Sequence, residues 1–568
     1  MNSFELSYFK ILILFCLLLF RIEVIYPSKF PVIGKNGMVV TANEIASKVG
    51  MEVLKRGGNA IDAGVAVGYA LAVVNPSAGN IGGGGFMVIR LSDGRATTID
   101  FREKAPGKSS PNMYLDEDGN VILGLSTFGY LAVGVPGTVA GLSMALSRYG
   151  TMPLKELMKP AVELAERGFP MYQGLYREII GSKNSFLKFP STSAIFLKND
   201  GFYEIGENFI QRDLARTLSL IAEYGQDVFY TGKIADLIER DMKKNGGLIT
   251  RDDLMNYRAV EREPIIGSYR GYKIISMGPP SSGGIVLNEI LNIIEFYDIR
   301  KMGHNSSEAI HIIAEGERRA YADRARYLGD GDFVSIPKNG LISKKYAKEL
   351  NSGIDPEKAS SSQEINHGDP YPFESEETTH FSIVDRFGNA VACTYTLNGG
   401  FGSKVVVDGA GFLLNNEMDD FSIRPDYPNI YGLTGGEANS IKPDKRMLSS
   451  MTPTIIEKDD KLFMVTGSPG GSRIITTVLQ VIINVIDYEM NIKEAVDSPR
   501  FHHQWKPDII YYEPYGFPKD VLKNLEKMGH KVSSRSYMGD ANSILVDLED
   551  GILYGAGDSR TDGKAVGY

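Results

Sequence analysis

Near residue 378 the chain changes character, and that change limits the folds open to it. Upstream, from the Gly134-Val135-Pro136-Gly137 turn to about Asn351, apolar residues recur mostly at helical spacing. Downstream, short apolar runs alternate with Gly, Asn and Asp turns, the mark of strands. Residues 352–377, rich in Ser, Glu, Gly and Pro, join the two and read as the most flexible segment. That segment ends in Glu374, Glu376 and Glu377, directly before Thr378-Thr379-His380-Phe381-Ser382. A strand beginning there sets an exposed, strained peptide bond against β structure. If the Glu377–Thr378 bond is cut, Thr378 gains a free α-amine beside its own hydroxyl. Such amines titrate at about 8. One residue can then supply both nucleophile and base. The plain alternative is two threonines opening a strand.

Other elements follow from periodicity. Residues 43–55 read as an amphipathic helix ended by Gly57-Gly58, and 59–74 as a helix apolar on all sides and therefore buried. Strands are expected at 86–91 and 96–101, then helices at 154–167, 211–224, 234–244, 286–297 and 307–327. Beyond 378, segments 380–385 and 390–397 pair as a hairpin across Arg386-Phe387-Gly388-Asn389. Residues 411–414, 454–457, 462–467, 542–547 and 552–555 read as strands, and helices follow Arg473 and span 519–528. The order suggests stacked antiparallel sheets covered by helices.

With 568 residues, 43% hydrophobic and 23% charged, the chain can bury a large core. A net charge of -9 offers no basic surplus for phosphates, so nucleic acid is not an expected partner. Two cysteines, Cys16 and Cys393, make no disulfide framework. Seven histidines form no HExxH, so neither a metal nor a cofactor is expected. Residues 11–20 are wholly apolar between Lys10 and Arg21, a length that suits a signal-peptide core better than a membrane span. The bulky Ile22-Glu23-Val24-Ile25-Tyr26 lacks a small-residue cleavage site, which leaves an uncleaved anchor open. Either way an exported protein, periplasmic or secreted, is expected, with 1–26 as signal peptide or anchor.

Gly82 to Gly85 is not a phosphate loop, because no Gly-Lys-Ser/Thr follows and a strand comes next. Arg102, at a strand end before Pro106, suits a bidentate grip on a carboxylate or a surface salt bridge. Cys393 is a rival nucleophile on paper; inside a strand with no histidine motif it reads as a small buried filler. His380 reads as structural, since the α-amine already serves as base.

Seven stretches carry more weight together: Asp100-Phe101-Arg102-Glu103, Gly82 to Gly85, Thr378-Thr379-His380, Thr394-Tyr395-Thr396-Leu397-Asn398, Asn415 to Asp420, Leu448-Ser449-Ser450-Met451-Thr452-Pro453 and Gly467-Ser468-Pro469-Gly470-Gly471. In this order and spacing they resemble the γ-glutamyltranspeptidases, N-terminal nucleophile hydrolases, from about Pro31 to the end of the chain. The resemblance implies an α+β fold, a four-layer αββα sandwich formed jointly by two subunits cut from one precursor. Residues 27–377 would be the large subunit and 378–568 the small, catalytic one, intertwined as a single domain. It implies cleavage between Glu377 and Thr378, with Thr378 as catalytic nucleophile and Thr396 positioning it. Arg102, Ser449 and Ser450 would bind the α-carboxylate of a γ-glutamyl group, and Asn398, Glu417 and Asp420 its α-amine. Gly470 and Gly471 would form the oxyanion hole, and residues 424–445, with Tyr431, a lid. The reaction implied is attack on the γ-amide of glutathione or a relative, then transfer of the γ-glutamyl ester to water or to an amino acid or peptide amine. Other readings are an acylase acting on β-lactam side chains, a poly-γ-glutamate hydrolase, or an exported binding homologue without catalysis.

Overall fold

The computed structural model describes residues 30–198, 201–371 and 382–568. Two seven-stranded antiparallel sheets form its centre. The first runs, edge to edge, through Lys564–Gly567, Gly37–Thr41, Ser382–Asp385, Ala390–Thr396, Gly84–Arg90, Ala96–Phe101 and Val260–Arg262. The second runs through Val32–Gly34, Leu553–Ala556, Ser543–Val546, Lys461–Thr466, Thr454–Lys458, Tyr272–Ser276 and Ile265–Tyr269.

Strand alternation builds the layers. Met38, Val88 and Ala392 face the other sheet and meet Ile275, Ile455, Val465 and Ile544. Their neighbours Val39, Met87, Ile89, Val391 and Cys393 point the opposite way, into a helical layer. Successive side chains on a strand point to opposite faces, so one apolar run feeds two cores. The outer layer on this side includes helices Glu44–Lys55, Ala60–Val74, Thr138–Tyr149 and Leu154–Arg167. Gly283–Ile294, Ser307–Tyr327 and Ile474–Ile486 cover the second sheet. The result is an αββα sandwich. Each sheet mixes strands from before and after residue 378, so a cut there would leave both pieces laced together.

The buried helix forms as expected: Asn59 and Asp62 make a capping box and every residue of Ala60–Val74 is buried. Three expectations need correction. Residues 258–276, expected within a mostly helical region, form three strands, Val260–Arg262, Ile265–Tyr269 and Tyr272–Ser276. Arg270 and Gly271 both have positive φ, the two-residue turn that suits a hairpin. Residues 411–414 are not a strand; Leu413 makes one isolated bridge to Val406, because Gly409 and Gly411, both at positive φ, turn the chain instead. The described part of the segment expected to be flexible is tied down. Ser362 N–H donates to Asp508, Gly368 N–H to Asp323, and Trp505 Nε1–H to the Ile365 carbonyl. The strands Gly37–Thr41 and Lys564–Gly567 were not among those expected; they pair with each other across the whole length of the chain. Among the described residues, no helix is long and apolar enough to cross a membrane.

Candidate active site

Arg102 follows the Ala96–Phe101 strand and is fully buried. Its Nη2 donates to Asp420 Oδ2 at 2.6 Å, its Nη1 lies 2.7 Å from Glu417 Oε2, and its Nε donates to the Met447 carbonyl at 3.2 Å. A third carboxylate, Glu103, stands 3.5 Å from Nη1. One guanidinium therefore faces three acids. Burial pushes the Glu417 carboxyl well above its ordinary range, and Arg102 only partly offsets that. Burial likewise pushes Glu103 up to about 8, against the pull of Arg102. Both shifts favour the protonated acid, which lowers the cost of burying Glu103 and Glu417 beside one cation. Asn429 Nδ2 donates to Asp420 Oδ1 at 2.9 Å and fixes that carboxylate from the other side.

Ser449 and Ser450 precede the Thr454–Lys458 strand. Ser449 N–H donates to the Pro280 carbonyl, and Ser282 N–H and Oγ–H both donate to the Ser449 carbonyl. Arg324, from helix Ser307–Tyr327, donates through Nη2 to Ser450 Oγ at 3.1 Å. Thr396 closes the Ala390–Thr396 strand opposite Gly84, and its Oγ1 accepts from Asn398 N–H at 2.9 Å. Asn398 sits at φ +75°, a conformation asparagine tolerates better than most residues. Its side chain donates to the Asn416 carbonyl, while its own carbonyl accepts from Tyr431 Oη–H at 2.7 Å. The segment containing Tyr431 thus reaches over and bonds to the strand end.

Gly470 and Gly471 have φ of +142° and +61°. A Cβ on Gly471 would collide with the Tyr431 ring. Glycine is therefore required twice at Gly471, for its φ and for its space. Arg102, Thr396, Asn398, Asp420, Tyr431, Ser449, Ser450, Gly470 and Gly471 line one cavity of about 600 Å³. That volume suits a small peptide-like ligand. Glu417 does not line the cavity; it stands behind Arg102 and touches it there.

Glu377, Thr378 and His380 lie outside the described residues. Ser382, the first residue of its strand, donates to the Asn542 carbonyl and lines a smaller cavity of about 110 Å³. Thr394, Tyr395 and Pro469 line both cavities. Cys393 is buried among the helix-facing apolar residues, and burial pushes its thiol well above the ordinary value, so it is no nucleophile.

The sequence offered no role for Glu103, Arg324 or Asn429. Glu103 had a signal in its place beside Arg102; the other two sit in unremarkable polar positions and meet the site only through the fold. Among the described residues one group has metal-ligand character, His311, Glu315 and His530. Glu315 is already paired with Arg318 and Arg319, and His311 Nδ1 lies 2.8 Å from His530 Nε2. Two guanidinium groups and an imidazole hydrogen bond make this a structural cluster, not a cation site.

Two helix-covered sheets face to face, a cavity among their loops and a glycine pair in left-handed conformation beside it define the class of N-terminal nucleophile hydrolases. The chain belongs to the γ-glutamyltranspeptidase family: the family model described as Gamma-glutamyltranspeptidase matches residues 46–568. It is 53% identical over 540 residues to the glutathione hydrolase proenzyme of Escherichia coli (strain K12), covering 95% of this chain and 93% of that one. Cephalosporin acylase from Bacillus halodurans superposes with a TM-score of 0.84 at 28% identity, over 95% of this chain and 97% of that one. A chain of Helicobacter pylori γ-glutamyltranspeptidase, 51% identical, matches 59% of this chain and 96% of its own length with a TM-score of 0.58. The chain is accordingly an enzyme, a self-processing γ-glutamyltransferase and hydrolase.

Proposed function

We propose that Thr378, freed by cleavage of the Glu377–Thr378 bond, attacks the γ-amide of glutathione and related γ-glutamyl compounds. The Thr378 hydroxyl first attacks the Glu377 carbonyl, an acyl shift gives an ester, and water releases the new terminus. The same hydroxyl then takes the γ-glutamyl group as an ester and passes it to water or to an amine. The observation that carries this reading is the convergence on one cavity of Arg102, Asn398, Asp420, Ser449, Ser450 and the Gly470-Gly471 pair. A γ-glutamyl group is an amino acid with an amide at its far end. Arg102 and the two serines suit its carboxylate; Asp420 and Asn398 suit its ammonium, with Glu417 acting on the pair through Arg102. Gly470 and Gly471 present backbone N–H groups to the oxyanion. Residues 424–445 act as a lid, latched by the Tyr431–Asn398 hydrogen bond. The mature protein is a heterodimer of large and small subunits, exported to the periplasm or beyond.

The test is a γ-glutamyl anilide against a glutaryl anilide, together with a denaturing gel. Two chains and a strong preference for the γ-glutamyl compound are expected, because the glutaryl group lacks the ammonium that Asp420 would meet. Equal turnover would favour the acylase reading, which the similarity to cephalosporin acylase supports.

Gly471→Ala supplies a second check. The added methyl meets the Tyr431 ring and the backbone is strained at φ +61°. The oxyanion donor shifts, and kcat should fall by about 10²–10³, roughly 3 kcal/mol of barrier. Steady-state kinetics showing kcat within threefold of the parent would remove Gly471 from the oxyanion hole.

A further inference from the structure

The Arg102 cluster occupies only part of the cavity. The remainder is walled by helix Gln173–Phe186 and by residues 560–562 near the end of the chain. The glycine pair stands between these parts: Gly471 abuts Tyr431, which bonds to Asn398, while Gly470 abuts Gly539, next to Asp540. Asp540 is buried yet lines the cavity, with Oδ1 accepting from Thr561 Oγ1 at 2.7 Å and its N–H donating to Ser468 Oγ, two residues before Gly470. Arg177 lines the same wall from an exposed position on its helix. Among the described residues it makes no ion pair or hydrogen bond. An exposed guanidinium on the cavity wall, and a buried carboxylate beside the Gly470-Gly471 loop, are complementary to the two ends of an amino acid.

We propose that this wall is the acceptor subsite, with Arg177 binding the free carboxylate of an amino acid or short peptide and Asp540 receiving its amine. The assignment rests on the function proposed above. In the transfer step the acceptor ammonium gives one proton to the Asp540 carboxylate. The amine nitrogen bonds to the ester carbonyl carbon, the carbon–Oγ bond to Thr378 breaks, and the second amine proton goes to the departing Thr378 oxygen. Asp540 then releases its proton to solvent. Burial and the neighbouring Asp558 push Asp540 up to about 7, against the pull of Arg500, which suits a group that must take a proton near neutrality. The same wall would hold the dipeptide portion of glutathione before it leaves.

The experiment compares transfer from a γ-glutamyl anilide to glycylglycine and to glycylglycine amide, in the processed parent and in Arg177→Gln. The parent should prefer the free carboxylate by about tenfold or more in kcat/KM, the worth of one charge-assisted contact. Arg177→Gln should bring the ratio near one. A parent that takes both acceptors equally, or a variant that keeps the preference, overturns the proposal. Because Arg177 is exposed, its replacement does not endanger the fold. Asp540→Asn should lower the ratio of transfer to hydrolysis by about tenfold or more; an unchanged ratio removes Asp540 from the subsite. Anilide release in water, with no acceptor present, reports separately on the proposed function.

Discussion

Replacing Thr378 by alanine is expected to leave a single 62.4 kDa chain on a denaturing gel. The parent should instead show a 191-residue small subunit of roughly 21 kDa, by proportion to length. The variant has no hydroxyl to attack the Glu377 carbonyl, so the ester never forms and the α-amine is never freed. Both halves of the catalytic unit are lost in one change, and turnover of a γ-glutamyl anilide should fall by about four orders of magnitude or more, as for other nucleophile deletions. The uncut chain should still fold, because both sheets are assembled from strands on either side of residue 378 and need no cut to pair. A Thr378→Ala protein that splits at this position, or an uncut parent that turns over the anilide, would end the assignment.

The second large effect is expected at Arg102. Arg102→Leu leaves Glu103, Glu417 and Asp420 without their shared cation in a site that water does not reach freely. Removing one partner from a buried ion pair costs about 3–5 kcal/mol, less whatever the acids recover by taking up protons. The donor also loses its carboxylate anchor, so kcat/KM should fall by about two orders of magnitude or more, roughly 3 kcal/mol. Arg102→Lys should fall between, since a lysine cannot serve Glu417, Asp420 and the Met447 carbonyl in one plane. Thermal melts and steady-state kinetics separate the two losses. A Leu variant within threefold of the parent in kcat/KM would show that Arg102 is structural and that the carboxylate is held elsewhere.

Much of the site is legible in the order of the motifs. Arg102, Asn398, Asp420, Ser449, Ser450 and the glycine pair, picked out by that order, all line one cavity. How their charges combine is not legible there. Glu417 stands behind Arg102, not in the cavity, and Glu103 joins them as a third acid. Arg324 braces Ser450 from a helix more than a hundred residues upstream. Nothing in the local pattern around Arg324 or Arg177 sets either apart from a solvated helix face.

The amino-acid order alone determined the features that act over a few residues. They are the wholly apolar helix with its Asn59 cap, the strands that alternate between two cores, the glycines where the backbone must turn left-handed, and the Thr378 position after a polar run. These depend on dihedral preference and on spacings of two or 3.6 residues, which are properties of neighbours in the chain. The tertiary structure decided what depends on distance in space. Strands at the two ends of the chain lie side by side, one cation is shared by three acids, and charged residues from distant parts of the chain line the same cavity. Electrostatic interactions depend on separation and on burial, and neither is set until the sheets have stacked.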